Sequence, residues 1–184
     1  MQISQWTAND LRTEIEALTE ILYACVYQGA SVGFILPHPK SEARAFWSDI
    51  ATAVGAGDRA LFVATQNGRP VGTAQLVLAT PANQPHRAEV SKVLVHPQAR
   101  RQGVARALMH HLETYARAAE KTLLTLDTRT GDMAEPLYLS LGFQKAGVIP
   151  GYCLAPSGQI FDSTSYMYKQ LSQRSLSKIS PTYI

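Results

Sequence analysis

The sequence predicts an α+β fold, a mixed central sheet of six to seven strands flanked by helices. Three observations carry that expectation. Apolar residues recur at helical spacing over the first fifty positions; a run of short β-rich segments is joined by Asn67-Gly68; and a long amphipathic helix is followed by further strand and helix alternation.

Gln2, Ile3, Ser4, Gln5 and Trp6 alternate in polarity and suit a short strand. Thr7 can cap a helix carrying Leu11, Ile15, Leu18 and Leu22. Gly29 to Gly33, Pro37 and Pro39 interrupt the pattern, and Ser41, Ala43, Phe46, Trp47, Ile50 and Val54 set a second helix, ended by Gly55 and Gly57. Ala60–Thr65 and Val71–Leu78 flank Asn67-Gly68, the two-residue hairpin signal, and His86–Val95 reads as a third strand of the meander. The long helix runs from about Gly103 to Ala118, with Val104, Leu108, Leu112 and Tyr115 on one face. Leu123–Asp127 then reads as a buried strand, Ala134–Leu141 as a short helix, and Phe143–Ile149 and Ser165–Lys169 as strands. The order is β-α-α-β-β-β-α-β-α-β-β.

A chain of 184 residues with 46% hydrophobic side chains fits one domain with a continuous core, expected over residues 1–171. Residues 172–184 lack periodicity and are expected to fray. The net charge is +3, and leaving out Arg174 and Lys178 makes it 15 basic against 14 acidic, so no basic surface argues for a nucleic-acid partner. Cys25 and Cys153 lie far apart, outside the spacing of a zinc site or a disulfide framework. His110 and His111 are adjacent on a helix and point about 100° apart, which makes no two-ligand metal face. The start of the chain has no basic and apolar leader pattern, and no apolar run reaches the roughly 18 residues of a membrane span. A cytoplasmic protein with no membrane segment and no metal is expected.

Arg100-Arg101-Gln102-Gly103-Val104-Ala105 lies between a strand and a helix. Unpartnered N–H groups and the positive end of the macrodipole at a helix start can cradle a pyrophosphate. Gly103 removes a side chain where backbone must approach phosphate, and Arg100 and Arg101 can add charge-assisted bonds. An arginine-rich turn at a helix start is also common solvated surface. The turn lacks the Gly-Lys-Ser/Thr of a P-loop and the glycines of a dinucleotide fingerprint.

Read with Val93-Leu94-Val95-His96-Pro97, the turn resembles the coenzyme A signature of the GNAT acetyltransferase superfamily, Arg/Gln-x-x-Gly-x-Gly/Ala. Ala134-Glu-Pro-Leu-Tyr138-Leu-Ser-Leu-Gly142-Phe143 resembles the same superfamily's Ala-x-x-x-Tyr-x-x-x-Gly-Phe block. More narrowly, Gly29–Phe34, Ala88–Lys92, Leu126–Thr128 and Pro150–Cys153 resemble its tabtoxin-resistance branch, so that the likeness covers about residues 3–171. Many members carry an Asn where this chain has Gly131, and no side-chain contact is carried over there.

The resemblance implies the GNAT fold and an N-acetyltransferase that uses acetyl-CoA as co-substrate, by direct attack in a ternary complex. It implies cofactor contacts along Val93, Leu94 and Val95 and around Arg100, Arg101, Gln102, Gly103, Val104, Ala105 and Arg106. Tyr138 is then the candidate general acid at the cofactor sulfur, and Glu89 and Asp127 are candidate bases. Glu89 shares the period-2 parity of Val93, which places the two on one face of the strand. Ser31 and Phe34 fall where this fold holds its acceptor loop and are candidate substrate contacts; Cys153 reads as a structural or pocket-lining thiol. The implied acceptor is the amine of a small molecule, an amino-acid-like toxin or antibiotic on the tabtoxin-resistance resemblance. A peptide or protein N-acetyltransferase and a non-catalytic acyl-CoA-binding regulator are the alternatives. Dimers are common among such enzymes, so a homodimer is compatible.

Overall fold

The computed structural model describes residues 1–171; the expected frayed tail lies outside the described residues. Thr7 opens the helical part with a capping box: its Oγ1 accepts from Asp10 N at 3.2 Å while its own N–H donates to Asp10 Oδ2 at 2.8 Å. The first predicted helix is two, α1 (Ala8–Thr13) and α2 (Ile15–Tyr27), because Glu14 leaves helical geometry at φ −104°, ψ 21°. Leu11, Ile15, Leu18, Leu22 and Cys25 nevertheless stay on one buried face across the break. Helix α3 (Lys40–Gly55) buries Ala43, Trp47, Ile50 and Ala51, and Trp47 Nε1 donates to the Leu18 carbonyl at 2.8 Å.

Strands β1 (Gln2–Trp6), β2 (Arg59–Gln66), β3 (Arg69–Val77) and β4 (Arg87–Val95) form an antiparallel meander. Asn67 and Gly68 turn the β2–β3 hairpin with φ of 50° and 75°, the left-handed pair a two-residue turn requires. A 3-10 turn (Pro97–Ala99) leads to α4 (Val104–Ala118), then β5 (Leu123–Arg129), α5 (Ala134–Ser140), β6 (Gln144–Leu154) and β7 (Phe161–Gln170). The seven strands lie in the order β1-β2-β3-β4-β5-β7-β6, with β4 and β5 parallel. Strand β6 continues beyond the expected stop at Ile149, its register shifting between Ile149 and Cys153. A Pro-Gly pair usually ends a strand, but at a sheet edge an irregularity accommodates it.

Alternation divides the sheet into two buried faces. Phe62, Ala74, Leu76, Val90, Leu124 and Leu126 pack with Leu108, Leu112, Tyr138 and Leu141, on the side of α4 and α5. Leu61, Val63 and Leu94 pack with α1, α2 and α3.

Candidate active site

Strands β4 and β5 pair only over Arg87–Leu123, Ala88–Leu124 and Glu89–Thr125. Beyond Glu89 no pairing joins them, and the two strands part. Opposite the opening, β4 carries a bulge. Thr73 pairs with Leu94 and Gln75 with Ser91, so Ala74 alone faces Lys92 and Val93, and Lys92 takes φ 48°.

This bulge inverts the alternation of β4. Leu94 lies in the core under α1–α3, whereas Val93 and Val95 pack toward α4. Glu89 lies in register with Val77 and Thr125, and Ser91, two residues along, is reached by the Arg59 guanidinium on the α1–α3 side. The parity expected to put Glu89 and Val93 on one face is therefore broken at Lys92, and the two side chains point to opposite faces. The switch is written in the sequence: apolar residues occupy 88 and 90, then 93 and 95.

The carboxylates stand where the β4–β5 pairing ends. Glu89 pairs with Arg87 at 3.3 Å, and Arg87 Nη1 also donates to Thr125 Oγ1 at 2.8 Å. Asp127, exposed and opposite Tyr166 in register, accepts from Thr164 Oγ1 at 3.3 Å. Tyr138 on α5 is 7% exposed, with its ring 5.9 Å from Phe143. Its phenol is held well above the usual tyrosine range, first by burial and then by the charges of Asp127 and Asp132. Asp127 on β5 is thus near enough to Tyr138 on α5 for its charge to be felt there. Tyr166, pushed up to about 12 by the hydrogen bond with Tyr152 and then by burial, feels Asp127 and Glu89 as well.

Sequence reasoning missed Lys92. Its Nζ donates to the Val32 carbonyl at 2.9 Å and lies 5.7 Å from the Phe46 ring. Burial pulls its ammonium below the usual lysine range, the nearby Arg59 charge pulls it further, and Asp127 and Glu89 oppose. The loop between α2 and α3 is tied down elsewhere too: Arg129 Nη1 donates to Gly29 O at 3.2 Å, Leu36 N to Pro156 O at 2.8 Å, and Ser31 Oγ lies 3.7 Å from Cys153 Sγ. Ser31 thus borders the β6–β7 hairpin. Phe34 turns toward the helices, with its ring 4.4 Å from His38 and 5.5 Å from Phe46.

At the other end of the opening, Gly103 precedes α4 at φ 79° with no side chain capping that end. Arg101 also takes a left-handed conformation, at φ 64°, and is exposed beside Gln102 and Gly103. Arg100 is turned inward, its Nε 3.3 Å from the Val95 carbonyl and its Nη2 3.9 Å from Cys25 Sγ. Gln102 Oε1 accepts from Gln66 Nε2 at 3.2 Å, and Arg106 Nη2 donates to Ser140 Oγ at 2.8 Å, linking α4 to α5. Val104 is buried and Ala105 partly so.

The model of the acetyltransferase (GNAT) family matches residues 15–143. The chain belongs to that family. The [Ribosomal protein bS18]-alanine N-acetyltransferase of Escherichia coli K12 is 34% identical over 127 residues, which are 66% of this chain and 81% of that protein. Among solved structures, the ribosomal-protein-alanine N-acetyltransferase of Brucella melitensis superposes with a TM-score of 0.75 at 24% identity, covering 93% of this chain and all of that one. A protein from Salmonella typhimurium, solved with its cofactor acetyl-CoA, gives 0.74 at 21% identity over 98% of this chain and 99% of that one. At these identities the structural likeness is one of fold.

As a GNAT enzyme the protein is an acetyltransferase whose donor is acetyl-CoA. The residues present fit that co-substrate: a helix start with no side-chain cap behind a glycine in the left-handed region, next to a strand that has left its parallel neighbour. Among the described residues no group of three His, Cys, Asp or Glu is placed to hold a metal, and no helix is long and apolar enough to cross a membrane.

Proposed function

We propose that the enzyme acetylates the amino group of a small molecule at the opening between β4 and β5. The observation that carries this reading is the tethering of the α2–α3 loop. Lys92 to Val32, Arg129 to Gly29, Leu36 to Pro156 and Ser31 to Cys153 join the α2–α3 loop to β4, β5 and the β6–β7 hairpin. A loop tied at four points beside the opening favours a small acceptor over a polypeptide, and the resemblance to the tabtoxin-resistance branch supports the same acceptor class.

Acetyl-CoA supplies the thioester; the chain orients it and handles protons. The turn at Arg101–Ala105 offers backbone N–H groups and the Arg101 charge to the pyrophosphate, with Gln102 and Arg106 at its rim. Val93, Leu94 and Val95 offer strand backbone to the pantetheine arm. Glu89 and Asp127 bind the acceptor's ammonium and take its proton, either directly or through water. Tyr138 faces the leaving sulfur. Its phenol is held above its ordinary value whereas a free thiol lies at about 8.5, so Tyr138 stabilises the departing sulfur chiefly by donating a hydrogen bond.

The relative that modifies the alanine of ribosomal protein bS18 favours a second reading, an N-terminal amine on a polypeptide. Thiol release from acetyl-CoA with a panel of small amines, beside a peptide starting with alanine, separates the two. Small-amine turnover supports the first reading and peptide-only turnover replaces it. Binding of acetyl-CoA with no turnover on either would leave a non-catalytic acyl-CoA binder.

A further inference from the structure

On the α1–α3 face of the sheet, beside the carboxylates where the β4–β5 pairing ends, polar side chains gather around two cations. Leu61, Gln75 and Ser91 are cross-strand partners, and Arg59 occupies the neighbouring rung, in line with Val77 and Glu89. Arg59 Nη1 donates to Gln75 Oε1 at 2.9 Å and to Ser91 Oγ at 3.4 Å. Neither Arg59 nor Lys92 makes an ion pair among the described residues, yet the two charges are close enough to repel.

Gln75 is wholly buried, and its Nε2 has no hydrogen-bond partner. Its orientation is fixed by Arg59, which needs the amide oxygen, so the amide N–H groups are the ones left over. Lys92 spends one of three N–H groups on Val32. A cluster with two partly buried cations, a hydroxyl and a buried amide donor without an acceptor lacks an anion. Leaving such donors unmatched is costly, and a carboxylate can accept from several of them at once.

We propose that Arg59, Gln75, Ser91 and Lys92 form an anion subsite for the acceptor, whose amine is accompanied by a carboxylate as in an α-amino acid. This rests on the small-acceptor reading and narrows it. Glu89 and Ser91 are two strand residues apart, about 6.6 Å along β4. An α-amino acid with its ammonium toward Glu89 and Asp127 and its carboxylate toward Ser91 and Lys92 covers that separation with hydrogen bonds of ~2.8 Å at each end. The Phe46 ring beneath the Lys92 ammonium keeps the charge partly screened when the subsite is empty.

The test compares each L-amino acid with its own carboxamide as acceptor, using the full-length enzyme and acetyl-CoA. The expected result is that kcat/KM for at least one acid exceeds that of its amide by about tenfold or more. Lys92→Met and Gln75→Leu should each lower that acid-to-amide ratio about tenfold, mainly through the KM of the acid. Gln75→Leu removes the unmatched amide N–H but also the oxygen that Arg59 uses, so both variants are checked by Tm, and the acid-to-amide ratio of the wild type decides the proposal if either folds poorly. Equal use of acid and amide by the wild type, or an equal loss on both acceptors in the variants, overturns the subsite and leaves Lys92 a strut for the loop and Gln75 the partner of a water. Turnover of the alanine peptide alone, with neither acid nor amide used, overturns the small-acceptor reading and the subsite together.

Discussion

Arg100 donates through Nε to the carbonyl of Val95, 3.3 Å away, and clamps the end of β4 to the turn that precedes α4. Cys25 on α2 donates to the same carbonyl at 3.3 Å, and its buried thiol is pushed above the ordinary range by desolvation. Arg100→Met should therefore act on stability. Losing a charged hydrogen bond costs about 1.5–3 kcal/mol, a fall in Tm of several degrees for a chain of this size. Arg101→Glu places the opposite charge on the exposed side of the turn, and should weaken acetyl-CoA binding about tenfold at low salt, less at high salt, with Tm nearly unchanged. Calorimetric titration and thermal unfolding of both variants check this division; a reversal of the two effects would put Arg100 at the phosphates instead.

Tyr138→Phe removes only the hydroxyl, which makes no hydrogen bond among the described residues. The expected outcome is a fall in kcat of about 100-fold with acetyl-CoA affinity and Tm unchanged. A parallel loss of affinity would make the residue a binding contact. Because burial and then Asp127 and Asp132 raise its pKa, the phenol stays protonated through pH 10, and no alkaline loss of kcat below that pH should arise from it. Asp127→Asn removes one of the raising charges and should move its titration toward the ordinary value, followed by tyrosinate absorbance.

Gly72 sits where β3 passes under the start of α4. A Cβ there would lie 2.9 Å from the Leu94 carbonyl oxygen and 2.9 Å from Val104 Cγ1, with Leu108 Cδ1 at 3.3 Å. The backbone oxygen cannot swing aside, so Gly72→Ala should cost about 1–3 kcal/mol and push β4 and α4 apart. Chemical denaturation checks the first effect and acetyl-CoA affinity the second; a variant unchanged in both would mean that the contact relaxes locally.

Much of this arrangement was legible in the chain because it rests on local rules. Asn67-Gly68 demanded a hairpin, the spacing from Val104 to Tyr115 demanded an amphipathic helix, and Gly103 marked its start. The break at Glu14 was not, since Leu11, Ile15 and Leu18 keep helical spacing across it. Arg59, Gln75 and Lys92 come from three strands, and only tertiary pairing brings them together. Arg100 turns inward onto the Val95 carbonyl, and its Nη2 meets a cysteine 75 positions earlier that only the folded chain brings near. The bulge lies between these cases: its parity switch at Ser91-Lys92 could be read, but period-2 counting across it gives the wrong face for Glu89.

Acid should loosen the helix that carries Tyr138. Lys169 on β7 donates to Glu113 Oε2 and to the Leu141 carbonyl, each at 2.6 Å, joining α4 to the end of α5. Burial alone would raise the Glu113 pKa, but its hydrogen bonds and charge interactions with Lys169 and Arg117 outweigh that and hold it below the ordinary 4.5. A carboxylate depressed in the folded state contributes stability that is full above its unfolded value and is lost as pH falls through the folded one. Lys169→Met should thus cost about 2 kcal/mol at pH 7 and distinctly less at an acid pH below the depressed Glu113 value, where Glu113 is protonated in both proteins and only the bond to Leu141 still separates them. Urea unfolding at the two pH values measures the difference. An equal cost at both would assign the whole contribution of Lys169 to the Leu141 carbonyl, and the pairing with Glu113 would then play no part in holding α5 against the sheet.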